Sequence, residues 1–371
     1  MKITHLTSEL FEYEREPQWN GAHFYGNAKI HKVTVYTDEG LIGTGWNGGT
    51  ASDRPQHLFP GYVDYFRPFL IGRDPMDTEG VVKALGTDLI KILGPAGINT
   101  QVLAAINIAC WDIKGQALGK SIHQLLGGAT PRIRTYIAGG YYQEGKGIPE
   151  LVEEVQYNVH EMNATAVKIK IGDPVSGFEG DMERVEAARK AIGDDIDLMV
   201  DANCALDVDT AIQFAKALED YNVFWFEEPL PIFDYDGHEK LAKETTVSIA
   251  TGENGYNVPH FKNLLDQNGA SFINVDATIC PGYDVAADIS NLAKERGAKI
   301  APHGCQEIQI HLAAGMENHS VLEYYPVEVD PLRAEIFQPL MKPDKDGLVT
   351  VPTTPGLGYS LNMDLLERYR V

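Results

Sequence analysis

The stretch Val167-Lys168-Ile169-Lys170-Ile171-Gly172 sets two lysines at alternate positions among β-branched residues. A period of two is that of a strand, so both ammonium groups point to one face of a sheet. Neighbouring ammoniums repel and burial adds to the effect, so the spacing predicts that one of the two is a neutral amine near pH 7, able to act as a base. Taken alone, the same pattern would also suit a sheet edge with two solvated lysines. Further along, Asp201, Glu227 and Glu253 recur 26 residues apart, each at the end of a short apolar run. One acid at a strand end often caps a helix or faces water. Three in register converge, and three converging carboxylates stay ionised together only beside a cation. All-oxygen ligation with room for water and substrate suits Mg²⁺.

The elements that must position these groups are legible after Pro131. Short β-rich runs fall at Ile133–Ala138, Ala166–Gly172, Leu198–Asn203, Val223–Pro229, Val247–Asn254, Phe272–Thr278, Lys299–Gly304 and Val321–Tyr325, with amphipathic helical segments between most of them. Strands alternating with helices imply βαβ units and a parallel sheet. Eight such runs over about 200 residues fit a (β/α) barrel of the TIM type better than an open doubly wound sheet. No GxGxxG follows the first run, which argues against a dinucleotide fold. Barrel chemistry sits at the C-terminal strand ends. In chain order those ends carry Lys168 and Lys170, Asp201 with Asn203, Glu227-Glu228, Glu253-Asn254, Asp276, His303-Gly304, and Glu323.

Ahead of the barrel, residues 1–128 read as an α+β capping domain. Ile30–Thr37 alternates like a strand, and Asp38-Glu39-Gly40 turns it into Leu41–Trp46, a hairpin. Glu12–Gly26, with Trp19, His23 and Tyr25, has no clear period and reads as a flap or long connection. Gly48-Gly49-Thr50-Ala51-Ser52 is rich in glycine and lacks a phosphate-loop pattern. Thr100–Leu118 is helical, with apolar residues at three- and four-residue steps. The barrel is expected over 129–330, and the tail, 331–371, is expected to return to the capping domain.

Composition narrows the partners. The chain has 371 residues, 44% hydrophobic and 23% charged, and a formal net charge of −22. Such an acidic surface disfavours nucleic acid and anionic membranes. Four cysteines lie far apart without CxxC spacing, and neither an apolar leader nor a transmembrane-length run is present. A reducing cytoplasm is the expected location. His160, His238, His260 and His311 lie in helical or loop segments without partner spacing and read as surface or core residues. Cys204 and Cys305 follow motif residues without a base of their own.

The constellation at the strand ends resembles the enolase superfamily, specifically its mandelate racemase subgroup. The helical segment Ala105–Gly115 followed by Leu125-Leu126-Gly127-Gly128 is similar to that family's capping-domain signature, with Cys110 where leucine is commoner. The resemblance spans nearly the whole chain. It implies a modified (β/α)7β barrel with an N-terminal cap completed by the C-terminal tail. It implies Asp201, Glu227 and Glu253 as Mg²⁺ ligands, Lys170 as one acid/base with Lys168 its electrostatic neighbour, and His303 as the opposing acid/base oriented by Asp276. Glu323 would lie near the substrate carboxylate, as a hydrogen-bond donor if protonated, and Glu228 would support the site. The muconate-lactonising branch would place a lysine where this chain has Asp276, and the glucarate dehydratase branch an asparagine where it has Glu253.

The implied reaction is abstraction of the proton α to a carboxylate through an ene-diolate. Dehydration of a sugar acid (an aldonate or aldarate) to a 2-keto-3-deoxy acid is the first expectation, because the lid candidates Trp19, His23, Tyr25 and Arg54 are polar as well as aromatic, and Asn203 also faces the substrate. A racemase or epimerase of an α-hydroxy acid, or a sugar-lactone cycloisomerase, would use the same groups. A non-catalytic protein on this scaffold would show eroded acid/base positions, and none is missing. The resemblance also implies a small-molecule carboxylate as partner and a symmetric homo-oligomer, often an octamer.

Overall fold

The computed structural model describes residues 1–48 and 55–371. Arg54 and most of the glycine-rich loop expected at 48–52 lie outside the described residues. The chain opens on an antiparallel sheet of β1 (Ile3–Tyr13), β4 (Ala28–Thr37) and β5 (Ile42–Gly48), in the order β1-β4-β5. The hairpin read from the sequence pairs in register from Ile30–Gly48 to Tyr36–Ile42. The segment 12–26 is not an unstructured connection. Its start is the end of β1, and it holds a miniature hairpin, β2 (Gln18–Trp19) against β3 (Phe24–Tyr25), whose two-residue arms are too short to show a period.

A helix over Ile98–Leu118 lies across this sheet, and its residues from Asn99 to Trp111 are buried all round rather than along one stripe. Close approach requires glycine. A Cβ on Gly43 or Gly45 would meet the carbonyl oxygen of Ala109 or Ala105 at 2.0 Å. Leu6, Val33, Val35, Phe66, Leu103 and Ile106 fill the space between.

Eight parallel strands follow: β6 (Arg132–Ala138), β7 (Ala166–Lys170), β8 (Asp197–Asp201), β9 (Val223–Glu227), β10 (Ile249–Thr251), β11 (Phe272–Ile273), β12 (Lys299–Ile300) and β13 (Leu322–Tyr324). Their order is β12-β11-β10-β9-β8-β7-β6-β13. A parallel bridge between Ile300 and His319 joins the two ends of this sequence, with Ile300 N donating to Asn318 O at 2.9 Å and Ser320 N to Ile300 O at 2.8 Å. Seven helices, from Ile148–His160 to Gln306–Gly315, occupy the seven crossovers. The fold is therefore the (β/α)7β barrel with an N-terminal cap.

Side-chain alternation divides each strand. Val167, Ile169 and Ile171 of the β7 region, Leu198 and Val200 of β8, and Phe226 of β9 pack outward against the helices. Ala166, Met199, Trp225, Phe272 and Ala301 turn inward and form the barrel floor, where Trp225 meets Tyr136 edge-on at 5.3 Å and Phe272 at 5.2 Å. The same parity brings Lys168, Lys170, Asp201, Glu227, Asp276, His303 and Glu323 inward above that floor.

After β13 the chain ties both parts together. β14 (Phe337–Gln338) pairs with β16 (Ser360–Leu361), while β15 (Leu348–Thr350) adds antiparallel to the start of β6. Phe337 packs 5.8 Å from Trp46, and Arg370 bridges to Phe11 of β1. Buried Arg333 is ion-paired with Glu307 and lies 3.7 Å from Asp330, whose other oxygen accepts from Tyr13 Oη at 2.7 Å. No helix among the described residues is long and apolar enough to cross a membrane.

His238, His260 and His311 are buried, as is His31 between Ser8 and Asn47. Burial holds them neutral: His31 and His260 are pushed down to about 4 and His311 to about 3, below their ordinary 6.5. The unfolded chain binds these protons at a higher pH than the folded one does. The share of stability these histidines carry is therefore whole above about pH 6.5 and falls as the pH drops from there towards 4. Urea titrations of the wild type and His311→Gln at pH 7 and pH 5 check this; between the two pH values the variant should lose less, or gain more, stability than the wild type.

Candidate active site

The carboxylates at the ends of β8, β9 and β10 meet as the 26-residue spacing predicts. Asp201, Glu227 and Glu253 are buried, and one oxygen of each lies within 4.8 Å of the others. The backbone at these ends is forced. Asn203 (φ 45°), Cys204 (φ 62°) and Glu228 (φ 40°) adopt left-handed conformations that cost non-glycine residues energy, and Gly252 sits at φ 124° just before Glu253. These turns re-aim the chain so that Asn203, Glu228 and Glu253 reach the barrel mouth.

Asp201, Glu227 and Glu228 are held from behind. Asp201 Oδ1 accepts from Asn203 N at 2.8 Å, and Glu227 Oε2 accepts from Trp225 Nε1 at 2.8 Å. Glu228 accepts from Asn254 Nδ2 at 2.9 and 3.2 Å. The lysines of β7 face the acids. Lys168 Nζ lies 2.5 Å from Glu227 Oε1, 2.8 Å from Glu323 Oε1, 3.5 Å from Asp201 Oδ2 and 3.3 Å from Tyr136 Oη. Lys170 Nζ lies 2.5 Å from Asp201 Oδ2 and over the Tyr141 ring.

Three places away in the strand order, beyond β6 and β13, His303 follows β12. Its Nδ1 is 3.0 Å from Asp276 Oδ2, while Nε2 faces Glu253 Oε2 at 3.4 Å, Glu323 Oε2 at 3.5 Å and Tyr325 Oη at 3.4 Å. Glu323 Oε2 also accepts from Gly304 N at 2.9 Å.

These contacts overturn the expectation of a neutral lysine. Burial works against the charge on Lys168, but the carboxylates of Glu227 and Glu323 outweigh it and hold its pKa well above the ordinary value. Lys170 is likewise raised: burial works against its charge, but Asp201 and then Tyr141 favour it, each by more than Lys168 opposes it. Lysine–lysine repulsion is thus the smaller effect once each ammonium has its own carboxylate. Glu323 is not a protonated donor either: burial pushes its carboxyl up, but Lys168 and His303 together hold it below the usual range. His303 is raised to about 10; burial opposes its charge, and Glu253, Glu323 and the bond to Asp276 overcome that.

The acids outnumber the cations. Among the described residues, Asp201, Glu227, Glu228, Glu253, Asp276 and Glu323 are all buried, and the cationic side chains paired with them are Lys168, Lys170 and His303. The surplus shows in Glu227 and Glu228, whose carboxyls are driven above the usual range first by burial and then by neighbouring charges, Lys168 pulling the other way on Glu227. Glu253 Oε2 is buried without a hydrogen-bond donor. A hard divalent cation on the Asp201–Glu227–Glu253 oxygens fits this donor set and removes the surplus.

A cavity of about 350 Å³ opens above, walled by His23, Tyr25, Gln101, Asn203, Glu228, Glu253, Asn254 and Tyr256. It joins the β2–β3 hairpin and the start of the Ile98–Leu118 helix to the barrel mouth. His23, Tyr25 and Asn203 therefore lie at this cavity. Trp19 does not line it; its ring stacks on Tyr142 and its backbone pairs with the same residue. The sequence reading missed Tyr136, Tyr141 and Tyr325. Two carried a signal: Tyr136 shares the inward parity of Ala138 on β6, and Tyr325 that of Glu323 on β13.

Comparison with known proteins agrees with this geometry. Residues 10–127 match the family model described as mandelate racemase / muconate lactonizing enzyme, N-terminal domain, and residues 150–365 match that described as enolase C-terminal domain-like. An arabinonate dehydratase of Saccharolobus solfataricus is 32% identical over 92% of this chain and 91% of its own. A D-galactarolactone cycloisomerase of Agrobacterium fabrum is 29% identical over 100% of this chain and 99% of its own. The crystal structure of a racemase from Streptomyces coelicolor with bound magnesium superposes with a TM-score of 0.92, at 25% identity and full coverage of both chains. The chain belongs to the mandelate racemase / muconate lactonizing enzyme family of the enolase superfamily.

Lys168 is the cation that three buried acids share. Lys168→Ala leaves them facing one another, a loss of about 3 kcal/mol. Denaturant unfolding in the presence of a chelator should show that drop; an unchanged midpoint would mean the acids are neutralised by other means.

Proposed function

We propose that this member of the family is a Mg²⁺-dependent enzyme that removes the proton α to the carboxylate of a sugar acid and dehydrates it to a 2-keto-3-deoxy acid. The observation that carries the reading is the placement of two proton-transfer side chains, Lys170 and His303, on separated strands, with the carboxylate triad on the arc between them. Asp201, Glu227 and Glu253 would hold the metal. When bound, Mg²⁺ supplies fixed positive charge against which the ene-diolate's negative charge can build.

The chain's own groups do the rest. Lys168, locked by Glu227 and Glu323, adds a second fixed positive charge. Lys170 exchanges a proton at Nζ, and it can act as a base only when Asp201 is engaged elsewhere than on its ammonium. His303 exchanges a proton at Nε2, because Nδ1 is committed to Asp276. In dehydration one of the two takes the α-proton as that C–H bond breaks. A general acid then gives a proton to the departing β-hydroxyl, which leaves as water, and the resulting enol tautomerises to the keto acid. The cavity walls carry amides, hydroxyls and an imidazole, groups that suit a polyhydroxylated chain better than an aryl group.

Isomerisation is the second reading. The same two groups would invert the α-carbon if one removed the proton and the other returned it, and the whole-length similarity to a galactarolactone cycloisomerase favours keeping it. The four free cysteines support a reducing, cytoplasmic setting, and the family resemblance supports a homo-oligomer. Sedimentation as a monomer would remove that last part.

Proton NMR in D₂O with Mg²⁺ and a panel of aldonates, aldarates, their lactones and α-hydroxy acids tests the reading. A vanishing α-proton with a 2-keto-3-deoxy product is the expected result, abolished by chelator and restored by Mg²⁺. Exchange with inversion and no loss of water would replace dehydration by isomerisation.

A further inference from the structure

His303 depends on Asp276, and Asp276 is itself clamped. Its Oδ1 accepts from Thr278 N, Thr278 Oγ1 and Gln309 Nε2, each at 2.7 Å. Its Oδ2 is left for His303 Nδ1 at 3.0 Å. Gly304 closes the space beside Oδ2, since a Cβ there would lie 2.5 Å from that oxygen. Gln309 is fully buried in the Gln306–Gly315 helix, and its own orientation is set from both ends: Oε1 accepts from Ala277 N at 3.4 Å, so Nε2 is the atom that faces the acid.

The two Thr278 donors come from one residue on the loop that carries Asp276, so they move with it. Gln309 alone among these donors reaches from a different element, the helix that begins three residues after His303. It ties the acid to the element whose ring the acid must aim. Without it, rotation of the carboxyl about its Cβ–Cγ bond would be opposed only from within the loop. A carboxylate that turns would loosen the ring that donates to it, along with the Nε2 that faces Glu253 and Glu323.

We propose that Gln309 is a positioning residue, which fixes the Asp276 carboxylate and through it the tautomer and orientation of the His303 ring. The proposal rests on the reading of His303 as an acid/base. Among the described residues the Gln309 side chain is hydrogen-bonded to Asp276 and Ala277 and does not line the cavity, so its effect passes through Asp276.

The test is a pair of variants, Gln309→Leu and Thr278→Val, in the full chain labelled with ¹⁵N-histidine. The wild type should show a downfield Nδ1–H resonance, assigned to His303 by its absence in His303→Asn. Gln309→Leu should move or broaden that resonance, with a smaller change in Thr278→Val. On the acid found to turn over, kcat should fall about 10- to 100-fold with KM unchanged. An unmoved resonance in both variants would overturn the proposal, as would a shifted resonance with unchanged kcat. If Gln309→Leu fails to fold, Gln309→Met, which keeps the volume and lacks the donor, takes its place: an unmoved resonance there overturns the proposal. The resonance needs no substrate, so absence of turnover by the wild type would count against the functional reading and leave the clamp to be judged by the spectrum.

Discussion

Everything at the barrel mouth answers to one constraint: among the described residues, six buried acids share a space with three cationic side chains. Burial alone would neutralise carboxyl groups or exclude them. The structure keeps them by dividing the work. Lys168 serves Glu227, Glu323 and, at longer range, Asp201; Lys170 serves Asp201; His303 serves Asp276, Glu253 and Glu323. The balance is incomplete where Glu227, Glu228 and Glu253 converge. That local deficit suits a hard divalent cation, which when bound would relieve Lys170 and His303 of part of their work as counter-ions.

Holding such a cluster requires a scaffold that does not yield. The barrel provides it through the alternation of its strands, with branched residues outward against seven helices and an aromatic floor of Tyr136, Trp225 and Phe272 inward. The floor also takes part in the chemistry's support, since Trp225 donates to Glu227 and Tyr136 contacts Lys168. The cap closes the remaining side. Its helix supplies Gln101 to the cavity, and its β2–β3 hairpin supplies His23 and Tyr25. Trp46 donates to Cys305, two residues after His303, so the cap's packing reaches the segment that carries this histidine.

Much of this was legible in the sequence because it is periodic. The eight strand positions follow from apolar runs at regular spacing, and the convergent carboxylate triad, which could hold a metal, follows from three acids in the same place on successive strands. What was missed is local or collective. The β2–β3 hairpin has arms too short to show alternation. The protonation of Lys168 and Lys170 was misread because the pair was weighed against itself, whereas the carboxylates that decide it come from β8, β9 and the segment at β13. Trp19 was grouped with His23 by loop position, although its ring turns to Tyr142 on the barrel. Gln309 carries no motif at all, and its contact with Asp276 exists only once helix and loop are side by side.

The account stands or falls on the carboxylate triad. Calorimetric titration of the chain with Mg²⁺, without substrate, tests it most directly. One ion per chain is the predicted stoichiometry, with affinity at least about tenfold weaker in Glu253→Gln and retained in both His303→Asn and Lys170→Ala. Unaltered binding in Glu253→Gln, or its loss in His303→Asn, would contradict the assignment of roles at this site.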